Sequence, residues 1–131
     1  MSGYLVDTSI FIAAEQRRPI GEPPTGDGRI SVATITELAV GVHRAASDPL
    51  RTLRETTLAR ARRFVSLSYD EPVAERLAEL LAAARLHRQR AGAMDAIIAA
   101  TALAHGLSVW TQDDDFEVLS ELAPQLQVQR S

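Results

Sequence analysis

The chain has 131 residues, a formal net charge of −3, 46% hydrophobic residues and 24% charged residues, which are the proportions of a single globular domain spanning residues 1–131. Cysteine is absent, which excludes disulfide scaffolds, thiolate metal sites and cysteine nucleophiles. All 14 basic residues are arginine, so the chain also lacks the lysine that P-loop and Schiff-base enzymes use.

Predicted strands and helices alternate along the chain. In order, the patterns predict strand 4–6, helix 10–14, a Pro- and Gly-rich loop 17–28, strand 29–32, helix 34–46, helix 48–64, strand 65–69, helix 70–84, helix 94–105, strand 107–110 and a fifth strand at 126–128. Gly106 is expected to end the helix before it, Asp7 to cap helix 10–14, Asp70 to cap helix 70–84, and Asp48 and Pro49 to form the cap and first turn of helix 48–64. This alternation favours an α/β fold with a mostly parallel sheet covered by helices on both faces.

The charge is distributed unevenly along the chain. Residues 43–64 hold six arginines against two acids, whereas residues 112–121 hold five acids and no base. The net negative charge therefore does not exclude a nucleic-acid partner. The sequence opens without a charged-then-apolar leader and contains no apolar run of membrane-spanning length, so we expect a cytoplasmic protein with no membrane partner.

Four acids are candidates for one shared site. Active sites of open parallel sheets lie beyond the carboxyl ends of the strands, and Asp7 follows the first strand while Asp113 follows the fourth. Glu37 and Asp95, each on a predicted helix, could complete the cleft. Each acid alone also has a structural explanation: Asp7 as a helix cap, Asp95 as a partner of the helix dipole, and the other two as solvated residues.

Converging carboxylates repel one another unless positive charge lies among them. In a chain without lysine or cysteine, the natural counter-charge is a hard divalent cation with oxygen ligands, and Mg²⁺ or Mn²⁺ fits best. Such an ion polarises a phosphoryl oxygen and activates water, which suggests phosphodiester hydrolysis. Removing one acid, as in Asp7→Ala or Asp95→Ala, is expected to relieve repulsion and leave the fold intact.

Four short motifs carry a resemblance that extends from Tyr4 to Phe116. They are Leu5-Val6-Asp7-Thr8-Ser9, then Ile35-Thr36-Glu37-Leu38 with Gly41 and Arg44, then Met94-Asp95-Ala96-Ile97-Ile98-Ala99-Ala100-Thr101-Ala102, and Thr111-Gln112-Asp113-Asp114-Asp115-Phe116. In order and spacing the chain resembles the PIN-domain ribonucleases, and more closely the VapC-type toxins of bacterial toxin–antitoxin pairs.

The resemblance implies a three-layer α/β/α sandwich, an RNA substrate, a homodimer and a cognate antitoxin, with promoter DNA bound only through the antitoxin. It implies an acid quartet that is both catalytic and metal-binding, formed by Asp7, Glu37, Asp95 and Asp113. It also implies that Asp115 is an auxiliary metal ligand and that Ser9 and Thr111 are hydroxyl helpers. Because three acids are consecutive, Asp115 could take over the fourth ligand position from Asp113.

A basic run precedes Asp95 without interruption by acids. Arg85, Arg88 and Arg90 could hold the phosphate backbone of RNA, or they could simply form a solvated helix end. His87 is expected to belong to this basic surface rather than to bind metal, and Trp110 to lie in the core.

Two other functions remain open. An aspartyl-phosphate phosphatase or receiver-like domain also places an acid after its first strand, but it would call for a lysine, and the phosphatase for a second Asp where Ser9 stands. A catalytically inactive PIN-like module that binds RNA or a partner protein is the non-enzymatic alternative.

Overall fold

The computed structural model describes residues 3–131; Met1 and Ser2, which the expected domain and the search for a leader both included, lie outside the described residues. Its elements in chain order are β1 (Gly3–Val6), α1 (Thr8–Glu15), β2 (Asp27–Ser31), α2 (Val32–His43), α3 (Asp48–Ala61), β3 (Val65–Leu67), α4 (Glu71–Leu86), α5 (Ala93–His105), β4 (Ser108–Thr111), α6 (Asp115–Leu122) and β5 (Val128–Arg130).

The five strands form one sheet in the order β3-β2-β1-β4-β5, and every neighbouring pair is parallel. The predicted α/β fold with a parallel sheet of about five strands is therefore confirmed. The chain builds outward from β1 to β3 and then returns to β4 on the other side of β1. The strand order thus reverses between β1 and β4, and a crevice opens beyond their carboxyl ends.

Alternate residues of the central strands enter two separate cores, one on each face of the sheet. Leu5 and Val109 belong to a core with α4, α5 and α6, where Phe116 is its largest fully buried side chain. Tyr4 and Trp110 point to the opposite face and pack with α1, α2 and α3. This alternation is the strand period of two, and it confirms the predicted three layers.

Several boundaries differ from the predicted ones for identifiable reasons. Helix α2 begins at Val32 because the Ser31 side chain accepts a hydrogen bond from the backbone N–H of Ala33 at 3.0 Å. Helix α3 is capped by Ser47, not Asp48, and ends at Ala61. Strand β5 begins at Val128, which pairs with Val109, so the predicted strand at 126–128 is displaced toward the carboxyl terminus.

Other local predictions hold. Asp7 caps α1, Asp70 caps α4, and Gly106 ends α5 in the left-handed conformation at a φ of 65°. Residues 3–131 include no helix long and apolar enough to cross a membrane.

Candidate active site

Asp7 lies at the crevice and is almost completely buried, with 1% of its surface exposed. Its Oδ2 accepts three hydrogen bonds, from Ser9 Oγ at 2.6 Å, from Thr111 Oγ1 at 2.8 Å and from the Ser9 backbone N–H at 3.3 Å. None of these bonds uses Oδ1. One carboxylate oxygen is therefore committed to holding the side chain in place, while the other is left to act on a ligand.

The two predicted hydroxyl helpers join the ends of β1 and β4. Ser9 Oγ and Thr111 Oγ1 lie 3.1 Å apart. Each also accepts a backbone N–H from the loop after β4: Gln112 donates to Ser9 Oγ at 2.9 Å and Asp113 donates to Thr111 Oγ1 at 2.9 Å. The hydroxyl pair thus orients Asp7 and the Asp113 backbone together.

Glu37 reaches the same crevice from α2 and is held by α1. Thr8 Oγ1 donates a hydrogen bond of 2.7 Å to Glu37 Oε1, and it lies 3.0 Å from Thr34 Oγ1. Burial raises the pKa of Glu37, and the nearby carboxylates of Asp7 and Asp113 raise it further, while the Thr8 hydrogen bond lowers it. The Glu37 carboxyl is therefore partly desolvated, lies near other carboxylates and is held by one hydroxyl hydrogen bond.

Asp95, in the first turn of α5, has the most strongly perturbed pKa of the acids here. Burial, as the largest cause, and repulsion from Asp7, Glu37, Asp115 and Asp113 together raise its pKa from 3.8 to about 7. Because each of the other four acids acts on Asp95, all five carboxylates predicted for the site face one shared region.

The three consecutive acids after β4 divide between two roles. Burial, Asp7 and Asp115 raise the pKa of Asp113, while Arg130 and Arg18 lower it. Asp114 instead pairs with Arg130, whose guanidinium also donates to the Gln112 carbonyl at 2.9 Å. Asp113 and Asp115 therefore both remain beside the crevice, and the choice between them as fourth ligand stays open.

The donor set suits a hard divalent cation, since it consists of carboxylate oxygens only. Within residues 3–131 no three Asp, Glu or His side chains lie together at metal-ligating distances. Burial first, and the neighbouring carboxylates second, nevertheless raise the pKa values of Glu37, Asp95 and Asp113. Positive charge placed among these acids would favour their ionised forms and draw them together.

The predicted RNA-binding arginines lie at the end of α4 and in the segment that leads to α5. Arg85 is in the last turn of α4, Arg88 and Arg90 follow it, and all three are exposed. His87, the C-cap of α4, is exposed as well. Trp110 lies in the core, as predicted, with its ring edge-on to Tyr4 at a centroid distance of 5.9 Å.

Sequence reasoning missed Thr8 as the partner of Glu37, and it missed two cations, Arg18 and Arg130. Arg18 follows α1 through a left-handed residue, Arg17, at a φ of 58°, and the Arg18 N–H closes the helix end on the Ala13 carbonyl at 2.9 Å. The signal available was the pair of arginines directly after the helix that Asp7 caps.

A cavity of about 470 Å³ opens beside Glu37, between α1, α2 and α3. Its walls carry two arginines and one further acid, and its lining residues are Ile12, Glu15, Gln16, Glu37, Leu38, Val40, Gly41, Arg44 and Arg54. Glu37 therefore belongs both to the acid cluster and to the wall of a pocket large enough for a small ligand.

Comparison with known proteins gives consistent matches over nearly the whole chain. The family profile described as PIN domain matches residues 4–122. Ribonuclease VapC4 of Mycobacterium tuberculosis is 37% identical over 119 residues, covering 90% of this chain and 92% of that protein. Ribonuclease VapC5 of the same organism is 37% identical over 124 residues, covering 91% of this chain and 89% of that protein.

A solved structure shares the fold over its full length. The crystal structure of VapBC-5, a member of the VapBC family of toxin–antitoxin systems from Mycobacterium tuberculosis, contains a chain that superposes with a TM-score of 0.85 at 32% sequence identity. The match covers 100% of both chains.

Proposed function

The chain belongs to the PIN domain family, and from this premise we propose that it is a Mg²⁺- or Mn²⁺-dependent endoribonuclease, the toxin of a toxin–antitoxin pair. The observation that carries the proposal is the convergence of Asp7, Glu37, Asp95, Asp113 and Asp115 on one region, where burial first and repulsion between the carboxylates second raise the pKa of Asp95 to about 7. A cluster of acids in a strand-end crevice, with Asp7 buried and the others half-buried or exposed, is suited to binding divalent cations and hydrolysing phosphodiesters. The relatives named ribonuclease VapC support RNA as the substrate.

The site residues would share the work of one hydrolytic step. Asp7, Asp95 and Asp113 would hold the metal, with Asp115 as an auxiliary ligand. A bound divalent cation polarises a phosphoryl oxygen and lowers the pKa of a water. Ser9 and Thr111 hold Asp7 through Oδ2, and Oδ1 would be the atom that binds the metal. Glu37, fixed by Thr8, would act through a water on the side facing the cavity.

We also propose the contacts that lie around the site. Arg85, Arg88 and Arg90 would bind RNA phosphates. Such contacts position the RNA strand but do not read its sequence. A cognate antitoxin would neutralise the acid cluster with a basic side chain, and promoter DNA would be bound only through it. The VapBC-5 likeness supports an antitoxin partner. A homodimer and a cytoplasmic location complete the proposal.

The experiment that tests the function is cleavage of total cellular RNA by the purified, antitoxin-free protein. Wild type is compared with Asp95→Asn and with Asp48→Asn, an exposed acid in the first turn of α3 that serves as a matched control. We expect discrete cuts with Mg²⁺ or Mn²⁺ that disappear with EDTA and with Asp95→Asn but persist with Asp48→Asn. Equal behaviour of wild type and Asp95→Asn with every metal would refute the nuclease and favour the inactive binding module.

A further inference from the structure

We propose that the cavity between α1, α2 and α3 is a nucleotide subsite, in which Arg54 binds an RNA phosphate next to the one that is cleaved. The inference rests on the proposed nuclease function and adds to it a substrate position and a residue. The position follows from Glu37, which belongs to the acid site and also lines the cavity. RNA whose scissile phosphate lies at the acids would therefore place a neighbouring nucleotide in this pocket.

Arg54 is prepared to bind an anion. It is half-buried on α3, and its Nη1 donates a hydrogen bond of 2.7 Å to the Gly41 carbonyl of α2. This bond uses one of the five guanidinium N–H groups and fixes the plane of the others. Among the ion pairs of residues 3–131, none includes Arg54 or its cavity neighbour Arg44. A half-buried guanidinium without a carboxylate partner is a natural site for a phosphate.

The one other acid in the cavity does not neutralise these arginines by an ion pair. Glu15 Oε1 accepts a hydrogen bond of 2.7 Å from Thr57 Oγ1, which ties it to α3. The remaining walls include Ile12 and Leu38, which offer apolar surface to a sugar or base. At about 470 Å³ the cavity lies in the lower half of the size range of small-ligand pockets, which suits one nucleotide.

The charge arrangement favours nucleic acid over a peptide as the occupant. The acid site would supply metal-binding carboxylates for the scissile phosphate, and the cavity that shares Glu37 would supply Arg44 and Arg54 for the next phosphate, with Glu15 held by Thr57. A protein segment of the antitoxin in the same cavity would need acidic side chains opposite Arg44 and Arg54.

The test measures binding of single-stranded RNA oligomers by fluorescence anisotropy over a range of salt concentrations. The protein carries Asp95→Asn, so that no cleavage occurs, and is compared with and without Arg54→Gln. We expect Arg54→Gln to weaken binding about tenfold, the loss of one hydrogen-bonded charge contact. We also expect it to reduce the slope of log K against log salt by about 0.7, the effect of one phosphate contact on a single strand.

Two further variants separate phosphate binding from a structural role. Arg60→Gln removes the same charge from an exposed position of α3 outside the cavity, and we expect wild-type affinity and slope. Arg54→Lys keeps the charge, and we expect it to retain the wild-type slope while losing part of the affinity. If Arg54 only ties α3 to α2, both Arg54 variants lower the Tm while the salt slope stays unchanged, and the proposal is overturned.

A series of oligomers with one neutral methylphosphonate each identifies the phosphate. We expect a single position at which the Arg54→Gln effect on affinity disappears. If the wild-type protein cleaves RNA but Arg54→Gln leaves RNA affinity and salt slope unchanged, the subsite alone is overturned and the cavity is left to a protein segment. If the wild-type protein neither cleaves nor binds RNA, the proposed function is overturned instead, so the two failures are distinguishable.

Discussion

Thr111 Oγ1 donates a hydrogen bond of 2.8 Å to Asp7 Oδ2, joining the ends of β4 and β1 across 104 residues of chain. The same hydroxyl oxygen accepts the backbone N–H of Asp113. One buried hydroxyl therefore holds a predicted metal ligand and the loop that carries another. The site is therefore assembled from two strands that are adjacent in the sheet but distant in sequence.

Thr111→Val removes this hydroxyl while keeping the shape of the side chain. We expect a loss of about 1–3 kcal/mol in the free energy of unfolding, because the Asp113 N–H loses its acceptor and Asp7 loses a donor. RNA cleavage should fall by about 10- to 100-fold, as for groups that orient metal ligands. Urea unfolding and single-turnover cleavage measure the two effects.

The matched control is Thr101→Val, since Thr101 is equally buried but bonds only its own helix, at the Ile97 carbonyl. We expect this variant to keep wild-type cleavage. Equal activity of the two variants would show that the Asp7–Thr111 bond is dispensable.

The raised pKa of Asp95 predicts how the metal-free stability depends on pH. The carboxyl has a pKa near 3.8 in the unfolded chain and about 7 when folded, so between these values the folded state binds more protons. The free energy of unfolding should therefore fall as the pH rises from about 4 to 7. Thermal unfolding in EDTA across this range measures the fall.

Two comparisons test this prediction further. In Asp95→Asn the decline should be shallower, and at neutral pH the metal-free variant should be more stable than wild type because repulsion is relieved. Added Mn²⁺ should stabilise wild type more at pH 7.5 than at pH 5.5, because the ion competes with the proton. A wild-type profile that rises over pH 4 to 7 would contradict the clustering of these acids.

Asp7 and Asp95 differ in what their removal should do. The sequence suggested that loss of either acid relieves repulsion, but Asp7 caps α1 and accepts from Ser9 and Thr111. Its replacement by Ala would leave buried hydroxyls without their acceptor, so destabilisation is expected there. Local sequence showed the acid and the cap, whereas the partner from β4 depends on the strand order.

Features that depend on local sequence could be predicted, whereas contacts between elements that are distant in sequence could not. The alternation of strands and helices was readable from hydrophobic period and from caps such as Asp70 and Gly106. The convergence of Asp7 and Asp113 followed once β1 and β4 were taken as neighbours. The bond between Thr8 and Glu37 was not readable, because it depends on how α1 and α2 dock against each other on the sheet.

Thr8→Val tests that bond. The Thr8 hydroxyl lowers the pKa of Glu37, so its removal should raise this pKa. In the proposed function Glu37 acts in its ionised form, so the acidic limb of the pH–rate profile should move to higher pH. Cleavage at pH 6 should then fall more than cleavage at pH 8. A uniform loss at both pH values would indicate a purely structural hydroxyl.

Arg130 offers a test at the opposite edge of the crevice. It pairs with Asp114 and Glu117, donates to the Gln112 carbonyl, and lowers the pKa of Asp113. Arg130→Gln should change the free energy of unfolding by less than about 1 kcal/mol, because these ion pairs are exposed. Cleavage should nevertheless decrease, and more strongly at pH 6 than at pH 8, because a higher pKa leaves less of Asp113 ionised at the lower pH.

The control for Arg130→Gln is Arg76→Gln, which breaks an exposed ion pair with Glu79 on α4, remote in sequence from the acid motifs. We expect that variant to match wild type in both stability and cleavage. If Arg130→Gln lost activity equally at both pH values, Arg130 would act by ordering the 112–114 loop alone. If it lost none, the fourth ligand would not depend on Asp113, and Asp115, which forms no ion pair with Arg130, would be the better assignment.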